Sequence, residues 1–170
     1  QQGAAERRFR SYFEHAPEGV LLIDHDGRVL EANEAVCAML GYTTQELLQL
    51  TLWQTVALPG VEQAKAHFSA VLSGGRASTD VPLLRKDGSE LIAEINAVAL
   101  GSDRFIGFLR DVTRHREVAH ANALFAQAFE SSGEAVLISD AQNRIVSVNP
   151  AFTQITGYAL DEVKGRNPRL

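Results

Sequence analysis

The sequence holds one cysteine, Cys37, one tryptophan, Trp53, and one methionine, Met39. A lone cysteine excludes an intrachain disulfide framework and suits a reducing compartment, so a cytoplasmic setting is expected. No apolar run approaches the roughly 18 residues that a membrane-spanning helix needs, so no membrane contact is expected of this chain. The opening Gln1-Gln2-Gly3-Ala4-Ala5-Glu6-Arg7-Arg8 leads into no signal-peptide core. Basic charge is not in excess: 16 Lys and Arg stand against 21 Asp and Glu, a net charge of −5. That argues against a basic face for nucleic acid. Catalytic signatures are missing too. There is no phosphate-binding glycine loop, no Gly-x-Ser-x-Gly elbow, and no carboxylate pair with a His or Lys beside it on one face. An enzyme is therefore not expected. His15, His25, His115 and His120 are scattered without metal-ligand spacing. A chain that begins at Gln1 rather than Met reads as a piece of a longer protein.

What is present is a globular composition, 45% apolar and 22% charged, over 170 residues. That is enough to bury a core without staples, as one domain with a remainder or as two small ones. Self-similarity decides between them. Residues 9–50 align without a gap on residues 125–166. Phe9, Phe13, Glu14 and Glu18 match Phe125, Phe129, Glu130 and Glu134. Val20-Leu21, Asp24, Arg28 and Asn33 match Val136-Leu137, Asp140, Arg144 and Asn149. Ala35, Gly41-Tyr42 and Glu46 match Ala151, Gly157-Tyr158 and Glu162. The repeat is a whole module, too long for a solenoid unit. Its first copy runs full length, and the second stops early. The expected domains are a flank at 1–8, a complete domain at 9–113, a helical linker at 114–124 and an incomplete second copy at 125–170.

Within the first copy, two short apolar runs flank Asp24-His25-Asp26-Gly27 and predict a hairpin. Asn33 stands where a helix should begin, as an N-cap, and Gly41 where it should end. Thr43 and Glu46 fit a capping box opening a short helix over Gln45–Leu50. Val61–Leu72 has helical spacing and stops at Ser73-Gly74-Gly75. Strands are predicted at Ala77–Arg85, Glu90–Leu100 and Arg104–Val112. In the middle one Leu91, Ala93, Ile95, Ala97 and Ala99 share a face, opposite Glu90, Glu94 and Asn96. The order is α+β: one antiparallel sheet with helices on one side. After it, Val118, Ala121, Phe125 and Ala128 form a helical stripe, either a coiled-coil seam or a face packed on its own domain. Phe9, Tyr12, Phe13 and Ala16 form the equivalent stripe ahead of the first copy.

This order, with Asp-x-x-Gly-Arg leading to Asn33, Gly41-Tyr42, Arg85-Lys86-Asp87-Gly88-Ser89 and Arg110-Asp111-Val112-Thr113-Arg114, resembles the PAS domain family. The resemblance covers 9–117 and again 125–170. It implies a five-stranded antiparallel sheet with helices on one face. It also implies a sensory module that binds a small molecule between sheet and helices, or a ligand-free module that dimerises. Output domains downstream of such modules include histidine kinases, diguanylate cyclases and cyclic-di-GMP phosphodiesterases. On this resemblance Asp111 and Thr113 join the last strand to a signalling linker, while a plain capping role is the alternative. Asn33 and Asn149 hold equivalent structural places in the two copies. Candidate pocket residues are Leu22, Leu40, Trp53, Phe68, Ile95 and Phe108. The cofactor is left unknown. The light-sensing branch needs a Gly-Arg-Asn-Cys-Arg run, and Gly165-Arg166-Asn167-Pro168-Arg169 has Pro168 in the nucleophile's place. A flavin–cysteinyl adduct is therefore excluded. Haem is disfavoured because His67, on the flanking helix, reads as partly exposed beside the apolar face of Ala64 and Phe68. A homodimer is expected, held by the linker and the incomplete second copy.

Overall fold

The computed structural model describes Arg8 and residues 10–169. The flank expected at 1–8 therefore lies, Arg8 apart, outside the described residues, as do Phe9 of the N-terminal stripe and Leu170. The chain separates into two compact units, Gln1–Arg114 and His115–Leu170.

In the first unit, helix α1, with described residues 8 and 10–14, precedes strands β1 (Gly19–Asp24) and β2 (Val29–Ala32). Helices α2 (Glu34–Leu40) and α3 (Thr44–Leu47) follow. Two 3₁₀ turns, Leu52–Thr55 and Leu58–Gly60, lead into α4 (Val61–Gly74). Strands β3 (Arg76–Leu84), β4 (Glu90–Leu100) and β5 (Arg104–Asp111) complete one antiparallel sheet of order β2-β1-β5-β4-β3. Helix α5 (Thr113–Ser131) then runs across the division between the units.

Local chemistry explains these joints. The Asp24 carboxylate accepts the N–H groups of Asp26 and Arg28, both at 2.9 Å, and so folds the hairpin turn. Gly27 takes φ +79° there, and a Cβ would come within 2.9 Å of Leu52. Thr43 and Glu46 exchange hydrogen bonds at 2.9 and 3.2 Å, closing the expected capping box. The helix it opens ends at Leu47, three residues short of the predicted Leu50, because the chain turns into the 3₁₀ segments. In the core, Val36, Leu40, Leu47 and Ala64 from the helices meet Leu21, Val81, Leu83, Leu91, Ala93 and Leu109 of the sheet. Each fully buried aliphatic side chain contributes roughly 1.5–3 kcal/mol.

The second unit repeats the opening of the first. It has a hairpin of β6 (Leu137–Ser139) and β7 (Ile145–Val148), then α6 (Pro150–Thr156) and α7 (Leu160–Val163). Asp140 receives the N–H groups of Gln142 and Arg144 just as Asp24 does. Asn143, at φ +58°, replaces Gly27 at the left-handed position. Its small core is Ile145, Phe152 and Val163. Among the described residues no helix is long and apolar enough to cross a membrane.

Candidate functional site

The first unit holds a partly open cavity of about 70 Å³ between α4 and the sheet. The sheet supplies Leu21 and Ile23 from β1, Ile95 and Ala97 from β4, and Phe105, Gly107 and Leu109 from β5. Helix α4 supplies Ala64, His67, Phe68 and Val71. The register explains the space. Gly107 lies between Leu21 on one neighbouring strand and Ala97 on the other. The middle of this face therefore carries one small side chain and one position with none. A Cβ on Gly107 would meet nothing closer than 3.8 Å. Phe68 stacks edge-on against Phe105 at 5.3 Å and against Trp53 at 5.6 Å, forming one aromatic wall.

The predicted pocket residues divide. Phe68 and Ile95 line the cavity. Trp53 stands behind Phe68, and Leu40 is wholly buried in the core beside α2 and α3, so neither faces the space. Leu22 and Phe108 require correction, because successive strand residues point to opposite faces. Leu22 and Ile106 line a shallow hollow on the other side of the sheet, with Phe13 of α1. Phe108 has the same parity as Ile106. The inward residues are their neighbours, Leu21, Phe105 and Leu109. That placement also qualifies the expected one-sided helical cover, since α1 brings Phe13 to the second face. His67 is partly exposed, as expected; it is among the residues lining the cavity, and its Nε2 is buried without a hydrogen-bond partner. Burial pushes its pKa below 6.5.

A second constellation sits where the sheet gives way to α5. Asp111 Oδ1 accepts the Thr113 N–H at 2.9 Å and the Thr113 hydroxyl at 2.6 Å. Thr113 Oγ1 accepts the Ile92 N–H at 2.9 Å, and the Ile92 carbonyl accepts the Val112 N–H. The other carboxylate oxygen of Asp111 binds Arg85 Nη2 at 2.9 Å. Arg85 Nε in turn donates to the Met39 carbonyl at 3.0 Å. One guanidinium thus ties the last turn of α2 to Asp111 at the end of β5, whose other oxygen holds Thr113 at the start of α5. Burial raises the Asp111 pKa, but the bonds from Thr113 and Arg85 outweigh it and hold the carboxyl below its ordinary value. Arg85 stood in a recognised motif, yet no feature of the sequence pairs it with Asp111.

Asn33 does more than cap α2. It is wholly buried, and its Oδ1 accepts the Val36 N–H at 3.1 Å and the Val20 N–H at 2.8 Å. Its Nδ2 donates to the carbonyls of Phe13 and Glu18, both at 3.0 Å. Asn149 repeats three of these bonds, with Val136, Phe152 and Glu134. Asp24, His25 and Asp26 lie within reach of a single ion, but on an exposed turn where Asp24 is already engaged. The linker stripe is exposed, with Val118 at 53% and Phe125 at 61%.

A family model described as PAS domain matches residues 17–114, and a second PAS domain model matches residues 123–169. Sporulation kinase E of Bacillus subtilis (strain 168) is 24% identical over 155 residues, which are 88% of this chain and 21% of that protein. Sensor histidine kinase TmoS of Ectopseudomonas mendocina is 33% identical over 103 residues, which are 59% of this chain and 10% of that protein. The chain thus spans about a fifth or less of the length of these curated relatives. Among solved structures, a domain of a sensory box sensor histidine kinase/response regulator from Geobacter sulfurreducens superposes with a TM-score of 0.57 at 28% identity. That match covers 65% of this chain and 97% of the other.

Proposed function

The chain belongs to the PAS domain family, and from that premise we propose that its first unit is a sensory module for a small molecule. The observation that carries this reading is the cavity between α4 and the sheet, opened by Ala97 and Gly107 and walled by Phe68. An occupant there touches β1, β3, β4, β5 and the helix together, so it changes their packing at once. The junction at Asp111 offers a route outward. Through Arg85 and Thr113, strain in the sheet or at the end of α2 reaches the first turn of α5. Helix α5 then carries the signal to an output domain, a histidine kinase or a cyclic-di-GMP enzyme. The kinase names of the relatives favour the former. The unit itself performs no chemistry in this reading, and it works in the cytoplasm. Native mass spectrometry of the 170-residue chain tests it. A small adduct retained on the native protein and lost on denaturation, with a raised melting temperature, is the expected result. A bare mass under every condition, with no metabolite raising the melt, counts against it.

A second reading has its own support. Helix α5 buries none of its residues, and Val118 and Phe125 of its stripe, with Leu124 beside them, are more than half exposed. A two-fold seam along α5 and residues 125–170 would cover them, making the chain a ligand-free dimerisation module or joining that role to sensing.

A further inference from the structure

One residue lining the cavity carries an atom that the fold does not use. His67 Nε2 is buried and unpaired, although buried polar atoms are rarely left so. Nothing in the packing of α4 requires a nitrogen there, and a carbon at that place would avoid the loss of hydration. The rest of the wall is almost entirely apolar. Thr55 is the other side chain with a polar atom, and its hydroxyl already donates to the Leu52 carbonyl at 2.8 Å. Among the described residues no Lys, Arg, Asp or Glu lines the space.

Resting on the reading of this cavity as a ligand site, we propose that its occupant is a small, neutral, mostly apolar molecule with one hydroxyl or carbonyl oxygen, anchored on His67 Nε2. Three observations select that class. A charged group would be buried without a counter-charge, which is costly. A purely hydrocarbon occupant would leave the nitrogen unpaired, whereas one oxygen satisfies it. A neutral imidazole nitrogen either donates or accepts according to tautomer, so a hydroxyl matches both forms and a carbonyl one of them. Size sets the last limit. About 70 Å³ admits a handful of heavy atoms, against the roughly 300–1,000 Å³ of pockets that hold drug-sized ligands.

Three probes separate this inference from the reading beneath it: xenon, 1-butanol and butanoate. The 170-residue chain serves throughout. The readouts are the fluorescence of Trp53, edge-on to the cavity-lining Phe68, and the ring nitrogen signals of His67. The expected result is that xenon enters the wild-type chain and His67→Leu alike, while 1-butanol binds His67→Leu about fivefold more weakly. That factor is what one net hydrogen bond is worth. Butanoate is expected to bind the wild type at least about tenfold more weakly than 1-butanol, since its charge is buried without a partner. Because Leu removes an unpaired nitrogen, His67→Leu should melt no lower than the wild type. Should it misfold, the His67 nitrogen signals of the wild type still decide, since 1-butanol must shift them. Equal 1-butanol affinity in both chains with xenon still entering, or unmoved nitrogen signals, overturns the anchoring role and leaves the cavity reading standing. No response to xenon or 1-butanol overturns the cavity reading itself. Ala97→Ile fills the space and must abolish both responses, and a response that survives it places the probes elsewhere and refutes the assignment.

Discussion

Replacing Asn33 separates a helix cap from a structural hub. A cap alone is worth about 1 kcal/mol, and Asp caps as well as Asn does. The geometry around Asn33 demands more. Asn33→Ala removes the bonds that Asn33 makes to the N–H groups of Val20 and Val36 and to the carbonyls of Phe13 and Glu18, all around a fully buried side chain. Each buried polar group left without a partner costs about 1–3 kcal/mol, less where water enters the space of the lost side chain. With such relief the sum is about 3–5 kcal/mol. That is a large part of the roughly 5–15 kcal/mol that holds a domain together. For a domain near 100 residues it lowers the melting temperature by about 12 °C or more. Asn33→Asp sharpens the test. It keeps both acceptor bonds but sets a carboxylate oxygen against the carbonyls of Phe13 and Glu18, so it must destabilise despite being a good cap. Trp53 is the sole tryptophan and lies in the first unit, so its fluorescence reports that unit's unfolding in the whole chain. An Asn33→Asp chain that melts with the wild type, or a loss of only about 1 kcal/mol in Asn33→Ala, would falsify the hub and leave only the cap.

Other expectations follow from the junction and the linker. Asp111→Ala and Thr113→Ala should leave the first unit folded but uncouple it from its output; a normal stimulus response of the longer protein in both variants refutes the route through α5. The Asp111 carboxyl is held below its ordinary 3.8, so its contribution to stability is complete above that value and is lost as pH falls through the depressed pKa. Asp111→Asn should therefore flatten the acid limb of the stability curve measured by urea unfolding, and an unchanged limb counts against the pairing. His67 acts in the same direction in a higher window: its folded pKa lies below 6.5, so the unfolded chain binds the extra proton and stability falls as pH drops below about 6.5. In His67→Leu that limb should vanish. Sedimentation of the full chain beside one ending near Glu117 should show a dimer only for the former, and monomers for both at tens of micromolar overturn the two-fold seam.

Much of the first unit was legible because its joints are chemical. Asp24, Asn33, Gly41, Thr43 and Glu46 each perform a local task that only a few residue types can do. Their recurrence as Asp140, Asn149, Gly157 and Glu162 made the pattern unmistakable. The lengths of β1 and β4 were readable for the same reason, since turn residues bracket them. What local signals cannot supply is a partner distant in the chain. Asn33 meets Phe13 twenty residues away, and Arg85 meets Asp111 and Met39 across the fold. A cap was visible, but a hub was not, because three of its four bonds go to groups that only the finished fold brings near.

The misplaced pocket residues have a more specific origin. Parity is written in a strand only when its two faces differ in polarity. In β4 they do: Glu90, Glu94 and Asn96 alternate with Leu91, Ala93, Ile95 and Ala97, and Ile95 lines the cavity. In Val20-Leu21-Leu22-Ile23 and in Phe105-Ile106-Gly107-Phe108-Leu109 both faces are apolar. The second face is not simply solvent, since Phe13 lies beside Leu22 and Ile106. Alternation is therefore absent, and nothing local separates Leu22 and Phe108 from their inward-facing neighbours. The ladder resolves it. Ile95 opposes Leu109, Ala97 opposes Gly107, and Gly107 in turn opposes Leu21. Parity established on one amphipathic strand passes across each register pair to its neighbours. The cavity is thus a property of the pairing: two small residues, Ala97 and Gly107, separated in sequence, open a space only because the register sets them side by side.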